Sequence, residues 1–148
     1  MYGIHNIIFN IDDIIDSFSC NFPKELIIPH DGWKLEKLVL YKPLIYYCCF
    51  GREEGFLCLN MSIKSLRDYG DYDGEIKIIT DKNKDLLREN YDYIIDDNVS
   101  VLPYKALDHI DFMSARFDIP LYEEVDAYQP ILYLDTDIII SSPVGKVL

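Results

Sequence analysis

The seven residues Leu44–Phe50 (LIYYCCF) carry no charge and no turn former, and this run constrains the fold more than any other feature. A strand that does not alternate apolar with polar residues must be covered on both faces, which places it inside a layered sheet. The residues that follow fit that setting. Gly51 breaks the run, and Glu53 and Glu54 stand where a helix start welcomes negative charge. Phe56, Leu59, Ile63 and Leu66 then recur at helical spacing until Gly70. The turn DYDG leads into Glu75–Thr80 (EIKIIT), a second predicted strand with Asp81 at its end. Lys84–Asn90 reads as a short helix and Tyr91–Ile95 as a third strand. Leu107, Ile110, Met113 and Phe117 mark one face of another helix, closed by Pro120. Pro130–Ser141 (PILYLDTDIIIS) is strand-like throughout, with two aspartates inside it.

Strand and helix alternate at intervals that predict βαβ units and a mostly parallel central sheet, an α/β fold. Ligands of such sheets collect beyond the carboxyl ends of the strands. Those ends carry Cys48–Gly51, Thr80–Asp81, Asp96–Asp97 and Asp135–Asp137. Residues 1–43, punctuated by Pro23, Pro29, Gly32 and Pro43, read as a separate extension of short strands or turns, with no function assigned. The regular pattern, and with it the candidate ligand-binding unit, occupies residues 44–148.

Charge narrows the ligand. The chain has 148 residues with 26 acids against 14 bases, a net charge of −12. That balance argues against nucleic acid and against anionic membrane surfaces, both of which need a basic face. An anionic small molecule is still accessible if a metal ion supplies the positive charge. The N-terminus (MYGIHNIIFNIDDIIDSF) has no basic leading region, and Asp12, Asp13 and Asp16 interrupt its apolar residues, so it does not read as a signal peptide. No apolar stretch reaches the ~20 residues of a membrane span. Cys20, Cys48, Cys49 and Cys58 contain no CxxC pair, and neighbours such as Cys48 and Cys49 point to opposite faces of a strand. Reduced, partly buried thiols in a cytoplasmic protein are the expectation. His5, His30 and His109 are scattered without metal-ligand spacing and read as surface or packing residues.

Asp135 and Asp137 flank Thr136. In an extended segment both carboxylates project from one face, with α-carbons roughly 6.5 Å apart. So held, they repel each other unless a cation joins them, and a hard divalent ion such as Mg²⁺ or Mn²⁺ suits oxygen ligands. Three readings compete. The Asp-Thr-Asp could be a hairpin turn between ILYL and IIIS, although no glycine is present. It could be the nucleophile pair of a haloacid-dehalogenase-type phosphatase, but Ile139 stands where that motif carries Thr or Val, and only 11 residues follow Asp137.

The third reading is a resemblance. PILYLDTDIIISSPVGKVL looks like the DxD segment of GT-A-type glycosyltransferases, especially the glycogenin-like and lipopolysaccharide sugar transferases of family 8. SARFDIP (Ser114–Pro120) resembles the segment before the DxD strand. SIKSLRDYG (Ser62–Gly70) with EIKIITD resembles the first helix and second strand, and LIYYCCFG resembles the first strand. The similarity runs in the family's order over about residues 44–148.

The resemblance implies a Rossmann-like GT-A fold and a metal-dependent sugar transfer from a nucleotide-diphosphate sugar, UDP-linked, to an acceptor left open. Asp135 and Asp137 would hold Mn²⁺ or Mg²⁺ on the diphosphate, and Asp135 would also meet the ribose. Arg116 matches a basic residue that approaches the diphosphate or donor sugar; the alternative is a solvated helix-end charge near Asp118. Cys48, Cys49 and Phe50 would lie at the strand end near the base, with plain core packing as the alternative for each. Tyr46 and Tyr47 are expected to pack in the strand, and Asp81 to be a turn residue. Family members continue past the position of Leu148 with an acceptor site and a further histidine ligand. The resemblance therefore reads the chain as the donor-binding half, with its C-terminal half missing. An uncovered sheet edge, self-association or a complementing chain follow from that expectation. A catalytically inactive remnant or partner-binding module that keeps the nucleotide-binding fold is the alternative.

Overall fold

The computed structural model describes residues 24–30, 34–145 and 148. His5, Asp12, Asp13, Asp16 and Cys20 lie outside the described residues. The chain divides into two units, residues 1–41 and 42–148, a boundary two residues before the one read from the sequence. In the first unit β1 (Lys24–His30) pairs antiparallel with β2 (Lys34–Leu40), with Lys24 opposite Leu40 and His30 opposite Lys34.

The second unit is α/β with a four-stranded, all-parallel sheet, compatible with a Rossmann-like fold. Its strands are β3 (Lys42–Cys48), β4 (Glu75–Thr80), β5 (Val99–Pro103) and β6 (Tyr128–Tyr133), in the order β5-β4-β3-β6. The chain steps outward from β3 through β4 to β5, then returns to the other side of β3. The order therefore reverses between β3 and β6, the switch point at which such sheets open a crevice for ligands.

β3 is covered on both faces, as its unbroken apolar run demands. Leu44, Ile45 and Tyr47 are fully buried and Tyr46 nearly so. Period-2 alternation sends Ile45, Tyr47 and Cys49 into a core with helix α1 (Glu53–Asp68), while Leu44, Tyr46 and Cys48 join the opposite layer. α1 carries Glu53 and Glu54 in its first turn and Arg67 in its last, and presses Phe56, Leu59, Ile63 and Leu66 onto the sheet. Its inward Ser62 meets the Tyr47 hydroxyl at 3.1 Å, and Ser65 donates to the Ser62 carbonyl at 2.8 Å. Gly70 ends the helix: a β-carbon there would lie 2.4 Å from the Leu66 carbonyl oxygen. Helix α2 (Lys84–Asn90) starts from Asn83, whose side chain accepts from Leu86 N at 2.8 Å.

Three readings from the sequence are corrected. Tyr91–Ile95 is not a strand; the third strand is β5, starting at Val99. The Asn60 side-chain oxygen accepts from both Tyr93 N (3.0 Å) and Ile94 N (3.2 Å), so those amides serve a side chain instead of a ladder. Ile94 is fully buried and Tyr91 stacks on Phe56, so the segment packs on α1 instead of entering the sheet. The helix expected over Leu107–Phe117 is reduced to α3 (His109–Ser114), capped by Asp108 through Ile110 N (2.8 Å) and Asp111 N (3.0 Å). Leu107, Ile110, Met113 and Phe117 are exposed, while Ala115, Ile119 and Val125, on the short 3₁₀ turns that follow, fill the second layer. β6 ends at Tyr133, before the aspartates, and residues 138–140 are not strand. After β6 the chain crosses α1: Ile140 N donates to Ser65 Oγ (2.9 Å) and Val144 N to the Gly70 carbonyl (2.9 Å). Among the described residues, no helix is long and apolar enough to cross a membrane.

Buried acids of weak strength make this unit sensitive to alkali. Burial pushes the Cys49 thiol up from 9.0 to about 12, and the Tyr47 and Tyr72 hydroxyls from 10.0 to about 12. The unfolded chain releases these protons near their ordinary values, whereas the folded chain keeps them. Stability that is complete below pH 9 should then fall as pH rises toward 12. Urea midpoints measured from pH 7 to 11 are expected to be level at first and to drop above about pH 9.

Candidate functional site

A cavity of about 810 Å³ opens at the carboxyl ends of β3 and β6, at the switch point. That volume is within the range of small-molecule sites, roughly 300–1,000 Å³. β3 contributes Cys48, and the turn after it contributes Phe50 and Gly51. Gly51 has φ +82°, a left-handed conformation that glycine adopts without strain, so the strand-to-helix turn is tight. Arg52, Glu54 and Gly55 come from the start of α1, and Tyr133 and Asp135 from the end of β6. His109, Phe112, Met113 and Arg116 form the remaining wall. Phe50 joins the walls, its ring 4.8 Å from that of Phe112 and 5.6 Å from that of Tyr104.

Arg116 is positioned by its own backbone. Its carbonyl accepts from the Tyr46 hydroxyl at 2.7 Å, which ties the 3₁₀ turn to β3. The guanidinium carbon lies 5.2 Å from the Phe117 ring centroid and 6.0 Å from that of Tyr133. Its Nε is buried with no hydrogen-bond partner among the described residues. A buried donor left unpaired costs about 1–3 kcal/mol, so this one stands ready for an acceptor.

Asp135 lines the same cavity and accepts from the Tyr133 hydroxyl through Oδ1 at 2.5 Å. Burial, with the Asp135 carboxylate adding to it, raises the Tyr133 hydroxyl above its ordinary value, so it remains a donor at neutral pH. The Asp-Thr-Asp segment is not extended as expected. Ile138 N donates to the Asp135 carbonyl at 3.2 Å, closing a turn over residues 135–138. Asp and Thr favour such turns because their side chains compete for nearby backbone groups. The turn is not a hairpin, since no strand follows it among the described residues. Asp137 is exposed on this turn and does not line the cavity.

The structure thus brings Cys48, Phe50, Arg116 and Asp135 together and separates Asp137 and Cys49 from them. Cys49 is 4% exposed and packs in the α1 core, the plainer of its two readings. Burial pushes the Cys48 thiol up to about 12; Arg116 opposes the shift, and Asp135 and Asp118 add to it. Burial thus favours the uncharged thiol of Cys48 at neutral pH. Tyr46 and Tyr47 pack in the strand, and Asp81 sits in a bend, 3.6 Å from the Lys82 ammonium.

Sequence reasoning did not single out Arg52, Glu54, Phe112, Met113 or Tyr133, and read His109 as a surface or packing residue. Arg52 and Glu54 were within reach, because residues after the glycine turn of a central strand face the switch point. Tyr133 lies two positions before Asp135, a spacing that puts both on one face only if the segment is extended, as the sequence reading expected. Phe112 and His109 carried no signal, since their place depends on non-local contacts such as that of the Phe112 ring with Phe50.

Asp135 and Asp137 are hard oxygen donors. Among the described residues, no three His, Cys, Asp or Glu side chains gather in a group able to hold a metal. An ion held by protein alone does not fit this site. One or two carboxylates beside an open cavity do fit a Mg²⁺ or Mn²⁺ shared with phosphate oxygens, which is how Mg²⁺ is usually bound. Comparison of the chain with family models, curated proteins and solved structures found no match.

Proposed function

We propose that residues 42–148 bind a nucleotide-diphosphate sugar, UDP-linked, as the donor-binding part of a GT-A-type, metal-dependent glycosyltransferase. The observation that carries this reading is the convergence of Arg116 and Asp135 on one cavity at the β3/β6 switch point. The strand order β5-β4-β3-β6 supports it, being the order of the first four strands of a dinucleotide-binding sheet. In this reading the base lies against Phe50 and Phe112, the Arg116 guanidinium meets the diphosphate, and Asp135 and Asp137 would hold Mn²⁺ or Mg²⁺. The ion would supply Lewis-acid stabilisation to the diphosphate leaving group. Arg116 adds charge-assisted hydrogen bonds, for which its unpaired Nε is available. The bond from the anomeric carbon to the diphosphate oxygen breaks, its electron pair leaving with that oxygen, while the acceptor hydroxyl oxygen bonds to the anomeric carbon and its proton passes to the departing diphosphate. The experiment is UDP binding with and without Mn²⁺: micromolar binding with the ion and little without it is expected.

A second reading is a partner-binding module that keeps the fold without the chemistry. It is favoured by the exposed apolar side chains Leu107 (86%), Leu121 (78%) and Ile110 (74%). Under that reading UDP does not bind with or without the ion.

A further inference from the structure

The segment around α3 has two sides. His109, Phe112 and Met113 line the cavity, whereas Leu107 (86% exposed), Ile110 (74%), Phe117 (71%) and Leu121 (78%) stand outside it. Helical backbone runs from α3 through the first 3₁₀ turn, so Ile110 and Phe117, seven positions apart, share one side two turns apart. Leu107 flanks that stripe at its start and Leu121 at its end. Ala115 and Ile119 anchor the same segment in the core, so the exposure belongs to the fold and not to a frayed end. Large apolar side chains gathered in this way mark an interaction surface.

Charge identifies the partner. Residues 105–126 hold six acids against two bases, Lys105 and Arg116, and Arg116 lines the cavity. Asp108, Glu123, Glu124 and Asp126 are exposed and alternate along the chain with the apolar side chains. A second copy of this chain would set these acids against themselves, because a two-fold contact joins the same surface on both partners. An anionic lipid surface would be repelled in the same way. A helix with one apolar face and a basic rim satisfies both features: its apolar residues cover Ile110 and Phe117, and its lysines or arginines meet the carboxylates. We infer that this face docks a basic amphipathic helix of a partner protein. The inference goes beyond the nucleotide reading and stands apart from it, since none of the four apolar side chains lines the cavity.

The test is calorimetric binding of a synthetic leucine–lysine amphipathic peptide to the full chain, beside the leucine–glutamate peptide of the same pattern. The lysine peptide is expected to bind one to one, more weakly as salt is raised, and the glutamate peptide not to bind. The double variant Ile110→Ser, Phe117→Ser is expected to lower the affinity about 10-fold or more. Its thermal melt should change little, because both side chains are exposed. Glu123→Gln with Glu124→Gln is expected to weaken binding at low salt and to matter less at high salt. Binding that neither pair of substitutions weakens overturns the inference, because the attraction is then one of net charge alone. Absence of binding, or equal binding of both peptides, overturns it as well. So does a concentration-dependent dimer in sedimentation, or binding to phosphatidylcholine vesicles, that the Ile110→Ser, Phe117→Ser variant abolishes; these would give the face to a second copy or to lipid.

Discussion

Alanine at Asp135 is expected to lower Mn²⁺-dependent UDP affinity by about 100-fold or more, some 2.7 kcal/mol. Asp135 is the acid that stands in the cavity, and no other carboxylate there replaces it: Glu54, the other acidic wall residue, comes from the start of α1. Loss of a charged ligand removes its attraction for the ion and its contribution to the field that orients the diphosphate. Asp137→Ala is expected to cost less, because Asp137 is exposed on the turn outside the cavity wall. Equilibrium titration of UDP at saturating Mn²⁺ separates the two. Equal losses would mean that the turn over residues 135–138 rearranges to bring both carboxylates onto the ion, as the extended reading of the sequence expected.

The largest expected effect on stability lies at Leu59. It is fully buried on the inward face of α1 and shares a core with Ile45, Tyr47 and Ile78. Leu59→Ala removes most of that side chain and leaves a cavity, a cost of about 2–5 kcal/mol. A domain of this size holds about 5–15 kcal/mol in total, so the loss is a large share of it. Leu107→Ala is the informative contrast, because spacing along the sequence places both leucines on apolar helix faces. Leu107 is 86% exposed, and its replacement is expected to move stability by no more than about 0.5 kcal/mol. Urea unfolding of the two variants reads the difference directly. A costly Leu107→Ala would show that the face around α3 is covered in solution.

The sequence revealed the parts of the fold whose signals are local. β3 declared itself because its run has no polar face, and α1 because Gly51, Glu53 and Gly70 bracket a helical stripe. The expected bounds of α2 match the structure, where Asn83 caps it, although the strand expected from Tyr91 onward is absent. Non-local partners hid the rest. Tyr91–Ile95 has strand composition, but the Asn60 side chain, over thirty residues away, takes its amides. Leu107, Ile110, Met113 and Phe117 have helical spacing, yet spacing does not say whether anything lies opposite, and here the turns after α3 bury Ala115 and Ile119 in their place. At the site, Asp135 and Arg116 were singled out through a resemblance to a DxD family, and the structure places both on the wall of one cavity. The turn over residues 135–138 was weighed only as a hairpin, because the isoleucines after it read as a second strand that the structure does not form.

The negative charge of the chain gives the nucleotide reading its most direct test. With −12 overall, UDP should be repelled unless a cation accompanies it. Calorimetric titration of UDP into the protein, once with Mn²⁺ and once with the ion removed by chelator, measures that dependence in one pair of experiments. Saturable one-to-one binding with Mn²⁺, weakened at least 10-fold by the chelator, is the predicted result. Absence of binding under both conditions, or equal binding under both, would contradict it.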